Sequence, residues 1–284
     1  MPSVRDLRDR IRSLRNTQQI TKAMKQVAAA KIRRAESLQK QSRPYADAIG
    51  VMLRDLIASV GTVDHPFMKP GAAGAPKGVI LMTADKGLAG AFNSNIVRVA
   101  EHMHRAGDNV TWYAVGNKAR NAVKRFRKDA RYDASLGGTS KIDGARELAA
   151  AVSDDFVSGK ISEIVLVSSK MISMMQQRPE ARTVVPISAE AATSTGPRAE
   201  VEFAPSPEAV LSRLLPKYLE FTLYSAMLET DAAFFAAQLV AMTNATDNAG
   251  KLIDELTIAM NKARQAAITK EILEIVGGAE ALAG

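Results

Sequence analysis

Apolar side chains near the start of the chain fall at Val4, Leu7, Ile11 and Leu14, then at Ile20, Met24 and Val27. Most of these steps are three or four residues, so the positions line one stripe of a helix. The other faces are Arg, Lys, Gln and Asn. So narrow a stripe resembles a coiled-coil seam more than the broad face of a globular helix. The pattern predicts helix from residue 3 to about residue 58, with Ser3 as N-cap and Asp6 favourable at the positive helix end. Pro44 lacks an N–H and is expected to kink or split this helix.

Residues 61–76 form a Pro/Gly-rich linker, after which the pattern changes. Gly78–Ala84, Val110–Val115 and Ile164–Ser168 are short β-branched apolar runs. Helix-like stretches lie between them at Phe92–Arg105, Asn117–Lys128 and Lys141–Val157. This alternation predicts a largely parallel sheet with helices on its faces. Met171–Gln177 and Thr183–Ile187 are candidates for further edge strands, and 188–207 is irregular.

From Pro207 to Leu282 the pattern is helical again, with Pro216 and Gly250 the only breakers inside. A continuous helix of that span is about 110 Å long, more than a globular core can bury. Leu252, Leu256, Ala259, Ala263 and Ala266 recur at 4-3-4-3 spacing, which predicts a second narrow seam.

The fold class expected is therefore α/β with a long antiparallel two-helix coiled coil. The N- and C-terminal helices form the coil, and a Rossmann-like α/β domain is inserted between them and attached near one end. The divisions are 1–60 for the N-terminal shaft helix, 61–76 for the linker and 77–190 for the α/β domain. An irregular connection covers 191–206, and the C-terminal shaft helix covers 207–284.

Composition sharpens this picture. Aromatics are only 5 % of the 284 residues and alanine is abundant, which suits closely packed helices. There is no cysteine, which excludes disulfides, thiolate nucleophiles and Cys-ligated metals. No window approaches the run of about 20 apolar residues that a membrane helix needs. The opening MPSVRDLRDR is not a secretory signal, so the chain is expected to be cytoplasmic or a mature form. The net charge is +8, and residues 1–40 carry it alone, with 11 Lys and Arg against 3 Asp and Glu. A partner implied by that charge touches the first helix.

Candidate chemistry is sparse. The turn 83–93 and the segment 137–141 are Gly-rich but match no phosphate-binding motif, and both suit structural turns. His102 and His104 are two residues apart on a helix and do not form a metal pair; with His65 they suit surface positions. Asp154 and Asp155 are expected to be solvated. Asn244-Ala245-Thr246 is a glycosylation sequon in form only. The basic helix admits a solvated face, nucleic-acid binding, or a shaft centred by charge within acidic protein surface.

Several stretches resemble F-type ATP synthase gamma subunits. They are IRSLRNTQQITKAMKQVAAAKIRRAE over Ile11–Glu36 and Ser42-Arg43-Pro44-Tyr45, then Gly87-Leu88-Ala89-Gly90-Ala91-Phe92-Asn93. At the C-terminus, Asn261-Lys262-Ala263-Arg264-Gln265, Ile268-Thr269-Lys270-Glu271, Glu274 and Gly278-Ala279-Glu280-Ala281 match the family signature. The resemblance covers essentially the whole chain. It implies a single-copy central-stalk rotor inside a catalytic hexamer of alternating alpha and beta subunits. An epsilon-type subunit and the membrane c ring would lie beneath it, on the cytoplasmic face of the bacterial inner membrane. Rotation would couple ion flow to ATP chemistry in the partners, so no catalytic residue, cofactor or metal is expected here.

By the same resemblance, Arg264, Gln265 and Thr269 contact a loop of the hexamer, and Lys22, Met24 and Lys25 lie on the facing stretch of the first helix. Glu202 and Phe203 lie at the foot near the c ring. Gln238-Leu239 stand where relatives have Arg-Met, Ala233-Phe234-Phe235 where Ser-Glu-Gln is usual, and Met260 where Tyr is common. The Cys-bearing regulatory insert of chloroplast relatives is absent, which excludes thiol control.

Overall fold

The computed structural model describes residues 3–60, 65–106, 109–126, 128–137, 140–187 and 206–283. They divide into two compact units, Met1–Ala28 with Leu239–Gly284, and Ala29–Gln238. Helices α1 (Val4–Val60) and α5 (Pro207–Ala283) each contribute to both.

The start of α1 is capped reciprocally. The Asp6 amide donates to Ser3 Oγ and the Ser3 amide donates to Asp6 Oδ2, both at 3.1 Å. This satisfies two groups that a helix end otherwise leaves open. The helix runs through Pro44 unsplit, so of the kink or split expected there the split does not occur. Pro44 is exposed, so water can solvate the carbonyl left without a donor. Ile49, Leu53, Leu56 and Ile57 are buried in the following turns and outweigh a cost of about 3 kcal/mol.

In the larger unit a five-stranded sheet has the order β3-β2-β1-β4-β5. The strands are β1 (Lys77–Met82), β2 (Val110–Val115), β3 (Ala130–Ala134), β4 (Ile164–Met171) and β5 (Gln177–Val185). The first four pair in parallel, and β5 returns antiparallel on β4. Between them lie α2 (Phe92–Arg105), α3 (Asn117–Arg125) and α4 (Lys141–Val157).

Ile80 and Met82 belong to a core with Leu148, Val152, Leu211, Leu215 and Leu219. Val79 and Leu81 belong to another with Phe92, Ile96, Ala119 and Phe234. Both faces of β1 are therefore covered, which is why its sequence is a continuous apolar run rather than an alternating one.

Three expectations need correction. Strand β3 escaped the sequence reading because ARYDA alternates between half-buried and exposed positions and carries two charges. Met171–Gln177 is not a strand: between its end residues it forms the turn that joins β4 to β5. Asp155 is not solvated; it is 2 % exposed. Tyr113 Oη, Arg131 Nε and Lys160 Nζ donate to its carboxylate at 2.8, 3.0 and 3.1 Å. Burial alone would raise the Asp155 pKa, but these donors outweigh it and hold the group at about 2 against an ordinary 3.8.

A depressed carboxyl pKa stabilises the fold above the unfolded value and stops doing so as pH falls through the folded value. Asp155→Asn is therefore expected to cost about 2 kcal/mol near neutral pH. The difference from the parent should shrink below pH 4 and vanish towards pH 2. Urea unfolding followed by tryptophan fluorescence across that range checks it.

Candidate functional site: a helix pair with a polar seam

The smaller unit pairs the first turns of α1 with the distal half of α5. On α1, Leu7, Ile11, Thr21 and Ala28 are buried, and Leu14, Gln18 and Lys25 are half-buried. These positions keep strict 4-3 spacing. On α5 the corresponding row is Met242, Thr246, Ala249, Ile253, Leu256, Met260 and Ala263.

The two rows meet at a polar layer. Thr246 Oγ1 donates to Thr21 Oγ1 at 2.8 Å and Gln18 Nε2 donates to the Thr246 carbonyl at 3.4 Å. A Cβ added at Gly250 would lie 3.1 Å from Gln18 Nε2, so this glycine gives the Gln18 amide its room. Gln18 is flanked by Thr246 and Gly250, while Thr21 meets Thr246. As α1 ascends α5 descends, so the pair is antiparallel.

The seam differs from the expected one in two places. Ile20 and Val27 are 60 % and 54 % exposed, and the seam runs through Gln18 and Thr21 instead. The step from Leu14 to Ile20 is six residues, which no heptad contains; spacing alone could have exposed the error. On α5, Leu252, Ala259 and Ala266 are exposed, while Leu256 and Ala263 do lie on the seam. Leu252 and Ile253 are adjacent apolar residues, and both registers satisfy 4-3 spacing. Only the partner helix decides between them.

Of the residues that the resemblance brought forward, Lys22 is exposed and Met24 and Lys25 are half-buried. Arg264, Gln265 and Thr269 are exposed, and Thr269 Oγ1 donates back to the Gln265 carbonyl at 3.0 Å. Counting outward from Thr21–Thr246 puts Lys22, Met24 and Lys25 level with residues 242–245. Arg264 is about 30 Å further along α5 at 1.5 Å per residue. The two groups are therefore not adjacent. Glu202 and Phe203 lie outside the described residues, as do 191–205 of the irregular connection and 61–64 of the linker.

Beyond Ala263, α5 continues with no buried residue in its described side chains. Ile268, Ile272, Leu273, Ile275 and Val276 are 48–71 % exposed there. Ile268, Ile272 and Ile275 fall on one stripe by spacing. An apolar stripe on a helix with no neighbour among the described residues is a candidate interaction surface.

In the other unit, ligands of open α/β sheets bind beyond the carboxyl ends of the strands. Here the residues after β1 fill that position. Asp85 accepts from Ser135 Oγ and the Gly137 amide at 2.7 Å, the Asn117 amide at 3.0 Å and the Leu136 amide at 3.3 Å. Burial would raise its pKa; the four donors reverse this and lower it. The Asn117 amide opens α3, so the backbone donors that could hold a phosphate already hold a carboxylate of the chain itself. Asn93 Oδ1 accepts from the Ala84 amide and its Nδ2 donates to the Lys86 carbonyl, both at 3.0 Å. Leu88 and Gly90 take φ of 61° and 56°, as a tight structural turn requires.

Among the described residues no group of three or more His, Asp or Glu can hold a metal ion. His104 stacks on Phe126 with ring centroids 4.9 Å apart. Gln238 is buried within its own unit, and Phe234 packs against the Phe92 ring at 5.9 Å. The apolar departure at 233–235 is thus in part core packing.

An α/β sheet domain interrupting, in sequence, two chain-terminal helices that coil antiparallel defines a class of helical-shaft proteins. The family model described as ATP synthase matches residues 3–282. The ATP synthase gamma chain of Heliobacterium modesticaldum is 43 % identical over 99 % of this chain and 100 % of the relative. That of Desulforamulus reducens is 45 % identical over the same shares. In fold, the chain resembles part of the Euglena gracilis mitochondrial ATP synthase OSCP/F1/c-ring structure at TM-score 0.67 and 17 % identity. That match covers 98 % of this chain and 94 % of the other. A central stalk/c-ring structure from Tetrahymena thermophila matches at TM-score 0.60 and 22 % identity, covering 80 % and 99 %. The chain belongs to the ATP synthase gamma chain family.

Two outcomes follow. Ile11→Ala should lower the stability of the helix pair by about 2–3 kcal/mol, whereas Ile20→Ala should leave it within about 0.5 kcal/mol. Far-UV circular dichroism melts of the two variants separate the observed seam from the apolar pattern. Asp85→Ala should destabilise the sheet unit and make its melting temperature rise with sulfate, because the vacated donors can then take an anion. The parent should respond less to the same salt.

Proposed function

We propose that this chain is the central-stalk rotor of an F-type ATP synthase, coupling rotation of the membrane c ring to conformational cycling of the alpha/beta hexamer. The observation that carries this reading is α5 beyond Ala263, an unaccompanied helix with an exposed apolar stripe. At about 30 Å from Arg264 to Ala283, it is long enough to reach into a surrounding sleeve of subunits. The basic first helix adds charge that centres a shaft without a fixed docking pose.

On this reading 1–60 and 207–284 are the shaft segments, 77–190 is the α/β body, and 61–76 and 191–206 are connections. Lys22, Met24 and Lys25 face the hexamer at one level, and Arg264, Gln265 and Thr269 at another. Glu202 and Phe203 face the c ring, and an epsilon-type subunit joins the body. The assembly sits on the cytoplasmic face of the bacterial inner membrane, with this chain peripheral to it. No helix among the described residues is long and apolar enough to cross a membrane.

The mechanism is differential contact. Each rotor angle favours one conformation of the facing catalytic subunit, so turning the shaft shifts populations in sequence. The chain has no active site of its own, a reading supported by Asp85 filling the phosphate-like position after β1.

Reconstitution with alpha and beta subunits tests the proposal. Adding the chain should raise multi-site ATP hydrolysis severalfold, and Arg264→Ala with Gln265→Ala should reduce the gain. Unchanged hydrolysis would refute the assignment.

A further inference from the structure

We propose that Gln18, Thr21 and Thr246 form a register lock that prevents α1 and α5 from sliding past each other. The inference concerns the paired-helix unit, and its consequence for rotation rests on the rotor reading above.

The apolar layers cannot do this alone. Counting outward from Thr21–Thr246 puts Leu14 level with Ile253, Ile11 with Leu256 and Leu7 with Met260. A slide of one heptad puts Leu14 level with Met260 or with Thr246, and the medium-sized apolar residues on both rows make the first of these an acceptable match. Nor does the end of the helix forbid it, since α5 continues beyond Ala263 as far as Ala283. In that direction Ile11 and Leu7 would come level with Ala263 and Ala267, which are apolar but smaller than the Leu256 and Met260 they leave.

The polar layer discriminates where the apolar ones do not. In the observed register Thr246 Oγ1 lies 2.7 Å from the Met242 carbonyl and 2.8 Å from Thr21 Oγ1, and its single proton serves one of these acceptors at a time. Thr21 Oγ1 in turn bonds the Gln18 carbonyl at 3.0 Å, and the Gln18 amide reaches across to the Thr246 carbonyl. Thr21 is only 8 % exposed. One heptad of slip would set Gln18 and Thr21 against Leu256 and Ile253. Thr21 would keep its bond to the Gln18 carbonyl, but the contact with Thr246 and the acceptor of the Gln18 amide would be lost, and two polar side chains would lie against apolar ones. A single polar seam position is known to specify register at some cost in stability, and here three share the task. Gly250 contributes by shape, because a Cβ there would lie 3.1 Å from Gln18 Nε2 and the amide would have to shift by a few tenths of an ångström.

For a shaft this matters because force applied along or around one helix must reach the other. A pair that could slip by a heptad would dissipate that displacement, about 10 Å per step at 1.5 Å per residue.

The chain has no cysteine, so spin labels can be placed without removing any. Labels at Arg8→Cys and Asp247→Cys, both exposed and axially offset, report slip directly as a change in distance. Double electron–electron resonance on the full-length chain should give one narrow distance. With Gln18→Leu, Thr21→Val and Thr246→Val together, a second population several ångströms away should appear while far-UV helicity and melting temperature hold or rise. Thr246→Val alone should broaden the distribution. A single unshifted distance in both variants, with helicity intact, overturns the lock. If the triple variant loses helicity, Thr246→Val alone decides by the same criterion. Because the distance is read without any partner subunit, failure of the lock is separable from failure of the rotor assignment in the reconstitution.

Discussion

Two narrow seams at opposite ends of one chain can be buried only against a second helix, and within this chain each supplies the other's partner. Leu7, Ile11 and Ala28 reach 0–5 % exposure in the pair, while most other positions along the same turns are exposed. A helix with so thin an apolar row has little to hold it alone, since most helical stability in proteins comes from packing. The Thr21–Thr246 contact is where this constraint becomes specific. It joins residues 225 positions apart and orients the two helices antiparallel.

The sheet unit obeys a different economy. Its central strands β1, β2 and β4 are covered on both faces, and the proximal part of α5 is itself core, with Leu211, Leu215, Leu219 and Leu223 fully buried. The same helix changes role along its length. It is buried on several sides near Ala232–Ala237, presents a narrow seam from Met242 to Ala263, and is exposed beyond. Asp85 and Asn93 spend their polar atoms on neighbouring loops. Strand-end chemistry that binds ligands in other α/β folds is used here to brace the turns.

Much of this was legible in the chain itself. The bounds of α2, α4 and β2 follow from periodicity and flanking turn residues, because their patterns are unmixed. The two long helices were legible for the same reason, and the capping residues Ser3 and Asp6 marked the start of the first. Less legible were β3, whose alternating ARYDA reads as loop, and Asp155, whose burial depends on Tyr113, Arg131 and Lys160 arriving from other elements. The residues most diagnostic by resemblance, Arg264, Gln265 and Thr269, make no contact across the helix pair that would single them out within this chain.

What the sequence by itself determined is the set of elements, their order, and the need of each end for a helical partner. Those are consequences of local propensity and of the period of apolar residues. What only the tertiary structure decided is which of two adjacent rows becomes the seam. Hydrophobicity favours Ile20 and Val27 over Gln18 and Thr21, and Leu252 over nothing in particular beside Ile253. A helix buries whatever its partner faces, and that choice is made by hydrogen bonds and close approach between residues more than two hundred positions apart.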